Sequence, residues 1–183
     1  MCGRLKQGAA YGYTKLLGYH PILATRADTR EVLHIRLRKG SANTQKGMLR
    51  FTDELIARVN RAGADGIKLL RADSGFWSTK VFCRREKADW QYSIGVRMQK
   101  GVREAIETIQ QDAWQPIADY PQEGEAQMAE TVYGERRLVV RRTRLLGAQA
   151  QLWPDWRHFA FITNRTEALE VVEVEHRDHA VVE

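Results

Sequence analysis

A chain of 183 residues with 43% hydrophobic content is long enough for one sizeable core, or one core plus an insertion. It has no run near the roughly 18 to 20 consecutive apolar residues of a membrane helix. It also has no apolar stretch behind Met1-Cys2-Gly3-Arg4 like that of a signal peptide, and its two cysteines, Cys2 and Cys83, are too few for a disulfide framework or a zinc site. A cytoplasmic protein is the expectation. The formal charge of +6 hides an asymmetry: residues 166–183 hold six acidic side chains and one arginine, which leaves 28 basic against 17 acidic, or +11, over residues 1–165. A basic body of that size points to a polyanionic partner, nucleic acid before others, with a merely solvated basic surface as the alternative.

Residues 3–13 read as a polar, glycine-rich loop. Residues 19–27 and 31–38 then read as two strands around an Asp28-Thr29-Arg30 turn, a hairpin expected to belong to a mixed sheet. Its second strand alternates, with Val32 and His34 on one face and Leu33, Ile35 and Leu37 on the other. After Gly40-Ser41-Ala42-Asn43-Thr44 the period becomes helical. Met48, Phe51, Leu55, Ile56 and Val59 recur at spacings of three and four until Gly63.

The run Gly66-Ile67-Lys68-Leu69-Leu70 has the length and Ile/Leu content of a buried strand, and Ser74-Gly75 break it. Asp73 is thereby expected at the strand's carboxyl end, the end that faces the ligand crevice in open α/β sheets. A carboxylate fixed there suits Mg²⁺ or Mn²⁺, which prefer oxygen ligands. The same Asp-Ser-Gly also suits a plain helix cap or turn, and spacing alone leaves both open. A helix over residues 78–87 and an alternating strand over residues 90–96 complete a mixed α/β pattern.

Beyond Gly101 a short helix places Val102, Ala105, Ile106 and Ile109 on one side. Strands are then expected over residues 129–133, 137–143 and 159–163, within a β-rich insertion at about 114–165 that is too small to carry its own core. Arg136, Arg137, Arg141, Arg142 and Arg144 bracket the apolar Leu138, Val139 and Val140. They suit phosphate contacts through the bidentate guanidinium fork, or the solvated ends of a strand. Trp153 and Trp156 suit stacking on an unpaired base, or core packing. From Thr166 the acidic segment returns to helix propensity and continues to Glu183.

Four segments stand out in order along the chain: Gly18-Tyr19-His20-Pro21, Leu37-Arg38-Lys39-Gly40-Ser41-Ala42, Arg71-Ala72-Asp73-Ser74-Gly75-Phe76 and His176-Arg177-Asp178-His179-Ala180-Val181-Val182-Glu183. Together they resemble the catalytic domain of bacterial insertion-sequence transposases of the DDE type. The resemblance spans nearly the whole chain and implies a ribonuclease-H-like fold, a mixed sheet with flanking helices and a β-rich insertion before the last helix. It implies an Asp, Asp, Glu set holding two divalent ions, Mg²⁺ or Mn²⁺, that stabilise the attacking and leaving oxygens of phosphodiester displacement. The implied partners are DNA, both transposon ends and target, and a second copy in a synaptic homodimer, with no membrane.

By this resemblance Asp73 is the second acidic ligand and Glu183 the third. His176 and His179 stand where the family often has a Tyr and an Arg near the scissile phosphate. His176, His179 and Glu183 are spaced to share one helix face. Arg137, Arg141, Arg142, His176 and His179 are the expected DNA contacts. The first Asp of the family belongs upstream of the glycine-rich loop, so the resemblance implies a single partial catalytic domain over 1–183, incomplete and inactive alone. A non-catalytic DNA-binding fragment that inhibits full-length transposase is the alternative. A further one is an unrelated basic α/β nucleic-acid-binding protein in which Asp73 is structural.

Overall fold

The computed structural model describes residues 6–12, 15–118, 120–147 and 155–178. The chain forms two compact units, residues Met1–Ile67 with Ser78–Ala88, and Lys68–Trp77 with Asp89–Glu183. Among the described residues no helix is long and apolar enough to cross a membrane.

In the first unit, β1 (Ala10–Tyr11) pairs antiparallel with β2 (Leu17–Gly18), a short ladder where the sequence reads as loop. β3 (Ile22–Thr25) and β4 (Val32–Arg36) form the expected antiparallel hairpin. It stands as its own two-stranded sheet, not within the mixed sheet as the sequence suggests, because no described strand pairs with either outer edge. On β4 only His34 is buried, whereas Val32 on the same face and Ile35 and Leu37 on the other stay exposed. The cause lies in α1 (Met48–Arg61), whose Phe51 ring stacks on His34 at 4.6 Å and whose Glu54 lies 2.8 Å from His34 Nε2.

Helix α1 buries Met48, Phe51, Thr52 and Leu55, the three-and-four spacing read from the sequence. Arg58 and Arg61 in its last turn oppose the negative end of the helix dipole. Helix α2 (Thr79–Lys87) belongs to the same unit and buries Val81, Phe82 and Arg85. Burial pulls the Arg85 guanidinium down to about 10, and the charge of Asp53 opposes that shift.

The second unit is built on a six-stranded sheet. Its strands are β5 (Leu69–Ala72), β6 (Gln91–Gly95), β7 (Gln115–Pro116), β8 (Gly124–Tyr133), β9 (Arg136–Leu145) and β10 (Arg157–Thr163), in the order β5-β6-β10-β9-β8-β7. β5 and β6 are parallel, with Ala72 opposite Ile94, and every other pairing is antiparallel. β10 hydrogen-bonds directly to β6, so the strands of the β-rich region continue the sheet that carries Asp73.

Leu138, Val139 and Val140 are fully buried, as expected of a strand covered on both faces. Each such side chain contributes about 1.5–3 kcal/mol relative to exposure. On one face α4 (Leu169–Arg177) supplies Leu169 and Val172 to a cluster with Met128, Val139 and Phe161. By the alternation of β8, Thr131 lies on the opposite face, where Thr108 at the end of α3 (Lys100–Glu107) meets it at 3.4 Å.

Candidate functional site

Asp73 follows β5 directly, at the carboxyl end of the parallel β5–β6 pair. Its backbone is extended, and its Oδ1 accepts a hydrogen bond of 2.8 Å from the Gly75 amide, capping a single 3-10 turn over Ser74–Phe76. The cap reading of the sequence holds for one carboxylate oxygen, and among the described residues Oδ2 has no hydrogen-bond partner. The residue itself is exposed. Gly95, at the end of β6, makes the close approach of this turn possible. A Cβ there would lie 3.2 Å from the Ser74 nitrogen and 3.7 Å from the Asp73 Cα.

Helix α4 is tied to the same strands. Arg71 Nη1 donates to the Glu175 carbonyl at 2.6 Å, and Ser93 Oγ, opposite Arg71 in the β5–β6 register, shares a 2.7 Å hydrogen bond with His176 Nδ1. The His176 ring also stacks on Phe161, with centroids 3.9 Å apart and planes at 13°. His176 is thus held by both a hydrogen bond and a stack. Arg71 and Asp73 share parity along their strand, so Asp73 falls on the face that α4 covers. His179 and Glu183 lie outside the described residues, as do Trp153 and Cys2.

The arginines around β9 are engaged within the protein. Arg141 is buried and its Nη1 meets Glu173, itself 3% exposed, at 3.1 Å, while its buried Nε has no hydrogen-bond partner among the described residues. Arg142 is buried with Nε 2.8 Å from Gln127 Oε1, and its guanidinium lies between Trp114 at 4.0 Å and Trp156 at 4.4 Å. Trp156 therefore stacks on arginine. Arg137 bonds Glu130 and the carbonyls of Arg165 and Glu167. Arg144 pairs with Glu125 and stacks on Trp156. Burial, and then the nearby Arg142 charge, hold the His158 imidazole below its usual range.

A cavity of about 550 Å³ opens along β9, β10 and the end of α4, lined in part by Arg141, Arg144, Arg157, Phe159, His176 and Arg177. Asp155 is its one acidic lining residue among those described. Two of the sequence-derived DNA contacts, Arg141 and His176, thus share one cavity, and Arg137 and Arg142 do not line it. Sequence reasoning missed Ser93 and Glu173. Ser93 carries the weak signal of alternating with Gly95 in a strand parallel to β5. Glu173 carries none, being one of six acids on the last segment.

The described residues fit a divalent cation only in part. An exposed carboxylate with an unused oxygen is the right donor chemistry, yet among the described residues no group of three or more His, Cys, Asp or Glu is placed to hold a metal ion.

Fold and site together define a mixed α/β domain with an exposed carboxylate at a strand end and an arginine-dense antiparallel extension of the same sheet. The family model described as Transposase DDE domain group 1 matches residues 3–180, and the chain belongs to that family. No curated protein matches the chain.

Proposed function

We propose that this chain works in DNA transposition through a ribonuclease-H-like site in which Asp73 is one oxygen ligand of a divalent metal ion, Mg²⁺ or Mn²⁺. The observation that carries this reading is the exposed Asp73 carboxylate, anchored through one oxygen and, among the described residues, unused at the other, at the carboxyl end of two parallel strands. Membership of the transposase family supplies the substrate class, DNA. Glu183 is proposed as a partner carboxylate. A bound ion supplies positive charge for the attacking and leaving oxygens of the phosphodiester.

The chain's own residues do the placing. The Gly75 amide fixes the direction of the Asp73 carboxylate, and Gly95 lets that turn sit close over β6. Ser93 and Phe161 hold His176 at the rim of the cavity, where the exposed Arg157 offers charge to DNA phosphates, whereas Arg144 and Arg177 are paired with Glu125 and Glu173. Arg141 backs that cavity from its buried pair with Glu173, and His179 is proposed beside His176 by helical spacing. Arg137 and Arg142, bonded within the protein, support the strand that carries these groups. A synaptic homodimer belongs to the same proposal.

Electron paramagnetic resonance of Mn²⁺ titrated into the purified chain tests the ligand assignment. Asp73→Asn is expected to weaken binding about tenfold or more while leaving the fold intact, since the amide oxygen still accepts from Gly75. Equal Mn²⁺ affinity in both proteins would overturn the assignment. If Mn²⁺ is lost but duplex DNA is still bound, the metal and DNA contacts are separable.

A further inference from the structure

We propose that the loop of residues 38–47 is a binding site for the backbone phosphates of duplex DNA, built from residues other than those around Asp73. The proposal rests on the reading that this chain acts on DNA. The loop contains most of the Leu37-Arg38-Lys39-Gly40-Ser41-Ala42 segment, to which the metal reading gives no task. It frames a cavity of about 530 Å³ lined by Arg36, Arg38, Lys39, Ser41, Asn43 and Lys46, among others, with no acidic side chain in its lining among the described residues.

Arg38 organises the loop from inside. Its Nε donates to the His20 carbonyl at 2.9 Å, and its Nη1 reaches the carbonyls of Asn43, Thr44 and Lys46 at 3.1, 2.8 and 3.0 Å. Four backbone acceptors are thereby turned toward one guanidinium. The Asn43 Oδ1 is taken by the Gln45 amide at 2.9 Å, which leaves the side-chain nitrogen of Asn43 as its free end. The groups that remain at the surface are donors: the ammonium ions of Lys39 and Lys46, the Ser41 hydroxyl and the Asn43 amide, all on exposed residues.

The loop is fixed in this shape. A Cβ on Gly40 would lie 2.2 Å from the carbonyl oxygens of both Ala10 and Gly18, so residue 40 is pressed against β1 and β2, and the Gly40 amide donates to Gly8. Among the charges, Arg36 is balanced by Glu54, which also takes Arg50 and lies beside His34. Lys39 and Lys46 have no ion pair among the described residues. Two uncompensated ammonium ions on a rigid rim of donors match the spaced oxyanions of a nucleic-acid backbone, because each phosphate neutralised also releases condensed counterions. A single small anion gains nothing from that release.

Fluorescence anisotropy of a labelled duplex of arbitrary sequence, titrated across a range of KCl without metal, reads this directly. For K39A/K46A the slope of log K against log salt is expected to fall by about two, with affinity at low salt about tenfold lower, uniformly across sequences. K39Q/K46Q should behave alike, and far-UV circular dichroism should be unchanged for both. K100A, which removes an exposed lysine of α3, serves as the control and should keep a slope within the error of the unmodified chain.

An unchanged slope in K39A/K46A overturns the proposal, as does an equal fall in K100A. So does lysine-dependent binding of duplex RNA without binding of DNA, or full competition by millimolar inorganic phosphate. D73N run beside them keeps the failures apart. It retains the full salt slope if the loop binds DNA, whatever its Mn²⁺ affinity shows about the metal reading.

Discussion

The five arginines of β9 and the three cations of the loop 38–47, each set within ten residues, are held in opposite ways. On β9, Arg141 and Arg142 are turned into the protein, one against buried Glu173 and the other between two tryptophans and Gln127. In the loop, one arginine is turned inward to gather carbonyls while two lysines stay outside with no acidic partner among the described residues. A count of positive charge therefore says little about what can meet a polyanion. What matters is whether the fold supplies each cation with an internal partner.

The largest test of this contrast removes the partner of a buried arginine. Glu173→Ala should destabilise the protein by about 3–5 kcal/mol in urea denaturation, because it leaves the Arg141 charge buried and unpaired. E173L/R141M should recover most of that loss, since apolar replacement of a whole buried pair is often neutral. A loss below about 1 kcal/mol for Glu173→Ala would mean that Arg141 is solvated in solution and that β9 resembles the loop after all.

A smaller effect is expected from pH. His158 lies opposite Arg142 on the neighbouring strand, and burial followed by the Arg142 charge lowers its folded-state pKa from 6.5. Above that value the ring is neutral in both states and contributes no pH dependence. As pH falls through 6.5 the unfolded chain takes up the proton first, so stability declines until the lower folded-state pKa is passed. H158Q should flatten the stability profile in that window, as measured by thermal melts at stepped pH. An equally steep profile in H158Q would place the titrating group elsewhere.

The sequence carried the local order of the chain well. Spacing located α1, and helix propensity marked the helix at the acidic end, whereas the strand read at Gly66–Leu70 lies two to three residues later, at Leu69–Ala72, with Ile67 exposed before it. The four motifs likewise led to the transposase family that the chain belongs to. What was not legible is long-range pairing. Alternation in β4 is visible, but its one buried residue is His34, held by Phe51 and Glu54 on α1, while Val32 and Ile35 on opposite faces both stay exposed.

The fate of the β9 arginines depends on Glu173, Gln127 and Trp114, none of which is a sequence neighbour. For the same reason Ser93 was invisible as a support for His176, 83 positions away. The Asp-Ser-Gly signal was ambiguous between cap and ligand for a physical reason: a carboxylate has two oxygens, and here the cap uses only one.

The central claim, that a divalent ion binds at the carboxyl end of β5 through Asp73, is tested most directly by affinity cleavage. Fe²⁺ loaded into the chain and treated with ascorbate and peroxide generates radicals that cut the nearby backbone, and mass spectrometry locates the cuts. Cuts are predicted around Asp73 to Gly75 and at Gly95, whose backbones approach closely, and they should vanish in D73N. Cuts confined to other segments, or a pattern that persists unchanged in D73N, would contradict the account.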